Sequence, residues 1–278
     1  MKNKPIGVFD SGLGGLTAVK ELLKILPHED IIYFGDTGRV PYGNRSRETI
    51  TKYAQEDVSF LLSFDVKMII AACGTVSSVV SDLGENLNIP FTGVVKPTAK
   101  AAAVATKNGK IGIIGTTATI KAAAYQNEIK RINNKIEVFS QDCPLFVPLV
   151  ENGFLDNDPI TLEVAKRYLS LFKEKGIDTL ILGCTHYPII SSTISKVVGS
   201  HVKIIDSGKE TASFAFKKLK ANNLLNGKTN PGNCSFYVSD TIESFSKTAN
   251  LFLGKTLNQT VKKINIDMQT FETDVTLK

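Results

Sequence analysis

The chain has 278 residues, enough for one large or two ordinary α/β domains and for a core that needs no disulfide. Apolar residues make up 42% and charged residues 22%, which excludes wholesale disorder. The net charge of +6 is scattered, with no polybasic block or aromatic-interleaved basic stretch, so no nucleic-acid partner is expected; a mild positive field is compatible with an anionic substrate, but net charge alone does not show one.

The opening MKNKPIGVFD carries two lysines, but its apolar run stops at Asp10, too early for a secretory signal. No apolar stretch approaches the ~20 residues that cross a bilayer, so a cytoplasmic protein with no membrane partner is expected. Residues 6–9 read as a strand and 16–26 as a helix. A strand follows at 31–34, a helix at 46–63, and strands at 67–72 and 91–95. The pattern then repeats, with helix 97–107, strand 110–114, helix 120–133, strand 136–140, helix 159–174, strands 179–182 and 202–205, and helix 209–222. Residues 235–239 read as a later strand, and Lys262 and Lys263 as a solvated face. Short apolar runs alternating with helical periods imply parallel sheets with crossover helices.

A weak internal duplication runs through this pattern. The first half starts at Ile6-Gly7-Val8-Phe9, reaches Cys73-Gly74-Thr75 and then Gly93-Val94-Val95. The second starts at Ile111-Gly112-Ile113-Ile114, reaches Cys184-Thr185-His186 and then Ile204-Ile205-Asp206-Ser207 at nearly the same offsets. Each cysteine follows an apolar strand, MIIAAC or LILGC. Open parallel sheets place ligands at that carboxyl end. Two pseudosymmetric α/β domains facing each other would therefore bring two thiols to one cleft from opposite sides. The division expected is 1–97 plus 208–278 for the first domain and 98–207 for the second.

Two opposed thiols suit the inversion of a stereocentre. One group removes a proton from one face while the other returns a proton to the opposite face. Cysteine, with a reference pKa of about 8.5, visits both protonation states near neutrality. Asp10, ending the first strand, is placed to assist Cys73. His186, two residues past Cys184, is placed to exchange its proton. The glycines after Asp10 let backbone N–H groups approach an anion.

Each residue also has a plainer reading. A cysteine after MIIAA is ordinarily a small core hydrophobe. Asp10 can simply cap the next helix. Pro41-Tyr42-Gly43-Asn44 and Glu151-Asn152-Gly153 read as turns. Cys143 and Cys234 have no reactive context, and His28 and His201 read as surface or loop residues. No C-x-x-C pair occurs, and the Cys184/His186 spacing is not that of a structural zinc site, so no metal is expected.

The segments GVFDSGLGGLTAVKEL, YFGDTGRVPYGNRS, IIAACGT, GVVKPTAKAA, IGIIGTTATI, CPLFVPLVENG, LGCTHYP and IIDSG occur in order over nearly the whole chain. On them the sequence resembles the glutamate racemases of the aspartate/glutamate racemase superfamily. The resemblance implies interconversion of L- and D-glutamate in a cleft between two domains, with no pyridoxal phosphate, other cofactor or metal. It also implies supply of D-glutamate to peptidoglycan synthesis and assembly as a homodimer. It makes Cys73 and Cys184 the paired acid and base, assisted by Asp10 and His186. Substrate contacts are implied for Asp10, Ser11, Tyr42, Gly43, Gly74, Thr75, Thr185 and His186, with Asp36 and Glu151 in support.

One position departs. The resembled family usually shows Asn-Thr after the first cysteine, and here Gly74-Thr75 stands, so the glycine N–H, a water, or Ser77 or Ser78 is expected to replace the missing contact. Two other functions compete: a racemase of the same superfamily acting on aspartate or another acidic amino acid, and a non-catalytic ligand-binding protein on the same paired domains. A nucleotide-dependent enzyme is a third, although Gly12-x-Gly14-Gly15 lacks the full G-x-G-x-x-G spacing.

Overall fold

The computed structural model describes residues 1–254 and 260–266. The central strands form where short isoleucine-, valine- and phenylalanine-rich runs are buried on both faces. The chain begins β1 (Ile6–Asp10), α1 (Leu16–Ile25), β2 (Ile31–Gly35), α2 (Arg47–Leu62), β3 (Met68–Ala71), α3 (Gly74–Val79) and β4 (Phe91–Gly93). α4 (Val95–Ala105) leads into β5 (Lys110–Gly115), α5 (Thr117–Ala122), α6 (Ala124–Ile132), β6 (Glu137–Asp142) and α7 (Phe146–Glu151). Next come α8 (Pro159–Lys175), β7 (Thr179–Leu182), α9 (Ser191–Val198) and β8 (Lys203–Asp206). α10 (Ser207–Ala221) returns the chain to its first sheet, which gains β9 (Cys234–Val238), α11 (Ile242–Leu253) and β10 (Val261–Lys263).

Two sheets result, ordered β10-β9-β2-β1-β3-β4 and β6-β5-β7-β8. Every pairing is parallel. The first four strands of each unit repeat one order, 2-1-3-4 against 6-5-7-8, so the duplication read from the sequence has its counterpart in topology. In each sheet the chain reverses its direction of growth beside the first strand, between β1 and β3 and between β5 and β7. That is the crevice where such sheets bind ligands. Cys73 lies two residues beyond β3 and Cys184 two beyond β7.

Alternation along the strands divides the core. Ile6, Val8, Tyr33, Met68 and Ile70 join Leu180, Leu182, Phe172 and Tyr187 in one continuous cluster that spans both sheets. The opposite sheet faces have their own clusters, built around Phe34, Phe60 and Ile69 in one case and Ile113, Tyr125 and Ile181 in the other. α4 and α10, the two crossings between sheets, pack on each other.

Several boundaries differ from the sequence reading. The strand expected over 91–95 stops at Gly93, and Val95 already opens α4 with Pro97 in its first turn, where a missing N–H costs nothing. The helix expected over 120–133 is broken at Ala123, whose φ of 54° is left-handed, giving α5 and α6. The short helices α3 and α7, together with α9 and α11, were not anticipated. Among the described residues, no helix is long and apolar enough to cross a membrane.

Candidate active site

The first wall is built at the ends of β1 and β3. After Asp10 the chain turns sharply, held by Gly12 N–H donating to Asp10 Oδ1 (2.9 Å) and by Tyr33 O–H donating to Gly12 O (2.7 Å). Beyond β3, Ala72 N–H donates to Phe9 O (2.9 Å), which delivers Cys73 to the start of α3. Cys73 is 4% exposed, with Sγ 3.5 Å from Ser11 Oγ. Burial, reinforced by the Asp10 carboxylate, pushes its thiol up to about 12. Cys73 is therefore protonated at neutral pH.

The second wall repeats the plan with different chemistry. Gly183 N–H donates to Ile114 O (2.7 Å), tying the loop after β7 to the end of β5. Cys184, 6% exposed, has Sγ 3.8 Å from His186 Nδ1, and His186 Nε2 lies 2.9 Å from Glu151 Oε1 at the end of α7. Phe252 of α11 packs edge-on against the imidazole at 5.2 Å. Burial opposes charge on His186, but its hydrogen bonds to Cys184 and Glu151 carry its pKa up to about 10. The ring is thus held toward its charged form, 3.8 Å from the Cys184 sulfur.

Both sulfurs open on one cavity of about 310 Å³, at the small end for ligand sites. Ser11, Tyr42, Gly43, Gly74, Thr75, Thr185, His186 and Glu151 share its lining. Asp10 and Asp36 do not: both lie behind the wall. Asp10, 1% exposed, turns back onto the Gly12 amide and accepts from Thr185 Oγ1 (3.5 Å). Burial raises its pKa from the ordinary aspartate value, although His186 pulls the other way.

Asp36 anchors a buried polar knot. Its carboxylate accepts from Arg39 Nε (2.6 Å), Ser239 Oγ (2.7 Å) and the Tyr42 hydroxyl. Tyr42 also donates to Asp57 Oδ2 (3.2 Å), whose pKa burial and Asp36 raise well above the carboxylate range. The Tyr42 hydroxyl is therefore spent on the knot, and Tyr42 meets the cavity through its ring and backbone. Replacing Arg39 with alanine leaves the Asp36 charge buried without its counter-ion. R39A should lose about 3–5 kcal/mol of stability, read as a lower urea midpoint.

Gly74 packs directly against the loop after β7. A Cβ on Gly74 would collide with the Gly183 carbonyl oxygen. Neither serine expected to compensate faces the cavity. Ser77 Oγ donates to Ala71 O (3.0 Å) and accepts from Val94 N–H (3.1 Å), and Ser78 lines a different groove. The hydroxyl that does arrive is Thr116, 3.0 Å from Thr75 Oγ1. Thr116 and Thr117 follow β5 as Ser11 follows β1, so carrying the duplication through to its first strand would have found them. Pro144, Val147 and Pro148 supply an apolar side, and they lie within the CPLFVPLVENG segment. No lining residue is lysine or arginine. Among the described residues, no group of three or more His, Cys, Asp or Glu side chains is arranged to hold a metal ion.

Comparison with known proteins gives one answer. The family description Asp/Glu/Hydantoin racemase matches residues 16–215. A glutamate racemase of Geobacter metallireducens is 48% identical over 252 residues, covering 90% of this chain and 93% of that one. The crystal structure of a glutamate racemase from Francisella tularensis in complex with D-glutamate is 42% identical, with a TM-score of 0.89 over 97% of this chain and 100% of that one. A glutamate racemase isoform from Bacillus anthracis is 38% identical, with a TM-score of 0.91 over 95% and 98% of the two chains.

Proposed function

The chain belongs to the Asp/Glu/hydantoin racemase family, and from that premise we propose that it interconverts L- and D-glutamate without a cofactor, by proton transfer between Cys73 and Cys184. The observation that carries the reading is the shared cavity: two thiols from equivalent strand ends of two sheets open on it together.

The chemistry follows from the unequal surroundings of the sulfurs. The forward step starts from Cys184 as the thiolate, beside His186, and Cys73 as the thiol. The enantiomer whose α-hydrogen faces Cys184 loses that proton to the thiolate. Charge develops on the α-carbon and its carboxylate, where neutral donors from the Ser11–Gly12 and Thr185 loops stabilise it in a largely dry site. Cys73 then gives its proton to the opposite face and becomes the thiolate. The opposite enantiomer is addressed by that second protonation form. Each turnover moves a proton from one sulfur to the carbon and another from the carbon to the other sulfur, so solvent and His186 restore the starting form.

His186 and Glu151 act on Cys184; Asp10 lies behind the cavity wall, accepting from Gly12 N–H on one side and from Thr185 Oγ1 on the other. The remaining parts of the reading are a first domain of 1–97 with 208–278, a second of 98–207, a cytoplasmic homodimer, and D-glutamate delivered to peptidoglycan synthesis. The test uses purified protein in deuterated water with no added cofactor. Either glutamate enantiomer should proceed to an equal mixture, with solvent deuterium appearing first in the inverted product. Inversion of aspartate alone would overturn the substrate assignment, and a requirement for pyridoxal phosphate would overturn the mechanism.

A further inference from the structure

After Cys184 the chain winds into a tight turn of 3₁₀ type over Tyr187–Ile190, in which each N–H reaches back three residues. Tyr187 N–H donates to Cys184 O (3.2 Å) and Ile189 N–H to His186 O (3.1 Å). The bond between these two would run from residue 188 to Thr185 O. Residue 188 is proline, which has no N–H to give. Thr185 O, in a buried residue between the second thiol and its imidazole, is thus passed over by its own turn. A buried carbonyl calls for a donor, and one arrives from the other unit: Thr17 Oγ1 donates to Thr185 O at 2.9 Å.

Thr17 is the second residue of α1 and is buried. Its hydroxyl also lies 2.9 Å from Gly14 O. That carbonyl does not depend on it, because Gly14 O already accepts from Thr17 N–H at 3.0 Å. The acceptor that needs the hydroxyl is therefore Thr185 O. The seat is close: a Cβ on Gly14 would overlap Thr185 Oγ1 and meet the His186 ring. Thr185 Oγ1 in turn donates to Asp10 Oδ2 (3.5 Å), so the first unit holds Thr185 by both its side chain and its main chain. The same stretch fixes the other cysteine, since Phe9 O accepts from Ala72 N–H, one residue before Cys73. Residues 9–17 thus serve as a common reference for both sulfurs.

We propose that Thr17 is a positioning residue for the second thiol: its hydroxyl replaces the N–H that Pro188 lacks and ties the Cys184-Thr185-His186 loop to the segment that holds Cys73. The proposal rests on the two-thiol reading above. Transfer on two faces of one carbon needs both sulfurs in one frame, yet Thr17 itself is not part of the cavity lining. Without the hydroxyl, the Thr185 peptide turns toward another donor or toward water. Cys184 and His186, its neighbours on either side, turn with it.

The experiment compares the parent with T17V, which removes the hydroxyl at similar shape, and with T17S, which keeps a hydroxyl. T211V is the control. Thr211 is likewise buried, and its Oγ1 donates to Ser207 O (2.7 Å) within α10, so the same change is made inside one helix and away from the cavity. Inversion of each glutamate enantiomer is followed by circular dichroism on protein whose far-ultraviolet spectrum matches the parent. T17V should lower kcat by about 10- to 100-fold, the penalty for a misplacement of up to about 1 Å, with KM changed by less than about threefold. The α-deuterium isotope effect on its kcat should be undiminished, because the slowed step is proton transfer. T17S and T211V should stay within about threefold of the parent, the serine hydroxyl reaching the same carbonyl. Inversion by T17V within about threefold of the parent, or a loss confined to KM, would overturn the proposal. So would T17S or T211V slowed as much as T17V, or an isotope effect that collapses in T17V. If T17V does not fold, T17A is read against the same limits. Absence of glutamate inversion by the parent would instead refute the proposed function itself.

Discussion

Alanine in place of either Cys73 or Cys184 should abolish inversion, lowering the rate by about 10³- to 10⁴-fold or more, because no other lining group can replace a missing acid or base on its own face. Each thiol is buried and removal of one sulfur empties little space, so the folded state should survive with a stability change of about 1 kcal/mol. The informative readout is the half-reaction. C73A keeps Cys184 and should still wash deuterium into one glutamate enantiomer, without inverting it. C184A should do so only with the other enantiomer, and the double variant with neither. Continued inversion by either single variant would end the two-thiol account; loss of the half-reaction from both would mean that the sulfurs act together earlier than the scheme allows.

The second large effect is expected at His186. H186N should lower saturating inversion by about 100-fold, since it removes the imidazolium beside Cys184 and leaves Cys73 untouched. Enantiomers have equal free energy, so kcat/KM must fall equally in the two directions. The one-sidedness of the site therefore has to surface as unequal changes in kcat and KM taken separately. A pH dependence accompanies this. The saturating rate of the parent should decline as pH rises through about 10, where His186 loses its proton, and H186N should lack that limb. Stability moves in the same sense. The folded pKa of His186 lies above its ordinary 6.5, so the stabilisation from its charge is complete below about pH 6.5 and is lost as pH rises through about 10. The melting temperatures of parent and H186N should draw together over that interval.

Much of this site was legible because its chemistry follows strand ends. Asp10, Cys73 and Cys184 each stand at or just past a run of apolar residues, and period and composition locate such runs. What the sequence could not supply was the direction of side chains across space. Asp10 and Asp36 belong to the right neighbourhood, yet both turn away from the cavity into hydrogen bonds with Gly12 and with Arg39. Glu151 reads as a turn residue, and only the packing of α7 against the loop after β7 brings it to His186. Phe252 supports the same imidazole from a helix nearly 70 residues further along the chain, with no local signal at all. The short helices α3 and α7 carry too few turns to establish a helical period, and the break at Ala123 is a left-handed alanine that composition does not announce.

The unbroken apolar cluster beneath the two sheets makes the halves mutually dependent. Leu16, Leu22 and Tyr33 from one side meet the same interior as Phe146, Tyr187 and Ile194 from the other. A fragment ending after β4 would bare a wide oily surface to water, at roughly 25 cal/mol for every Å² exposed. The two halves should therefore melt in a single transition, which scanning calorimetry would record as one peak. The alignment of its reactive atoms thereby depends on that common interior and is not the property of either half by itself.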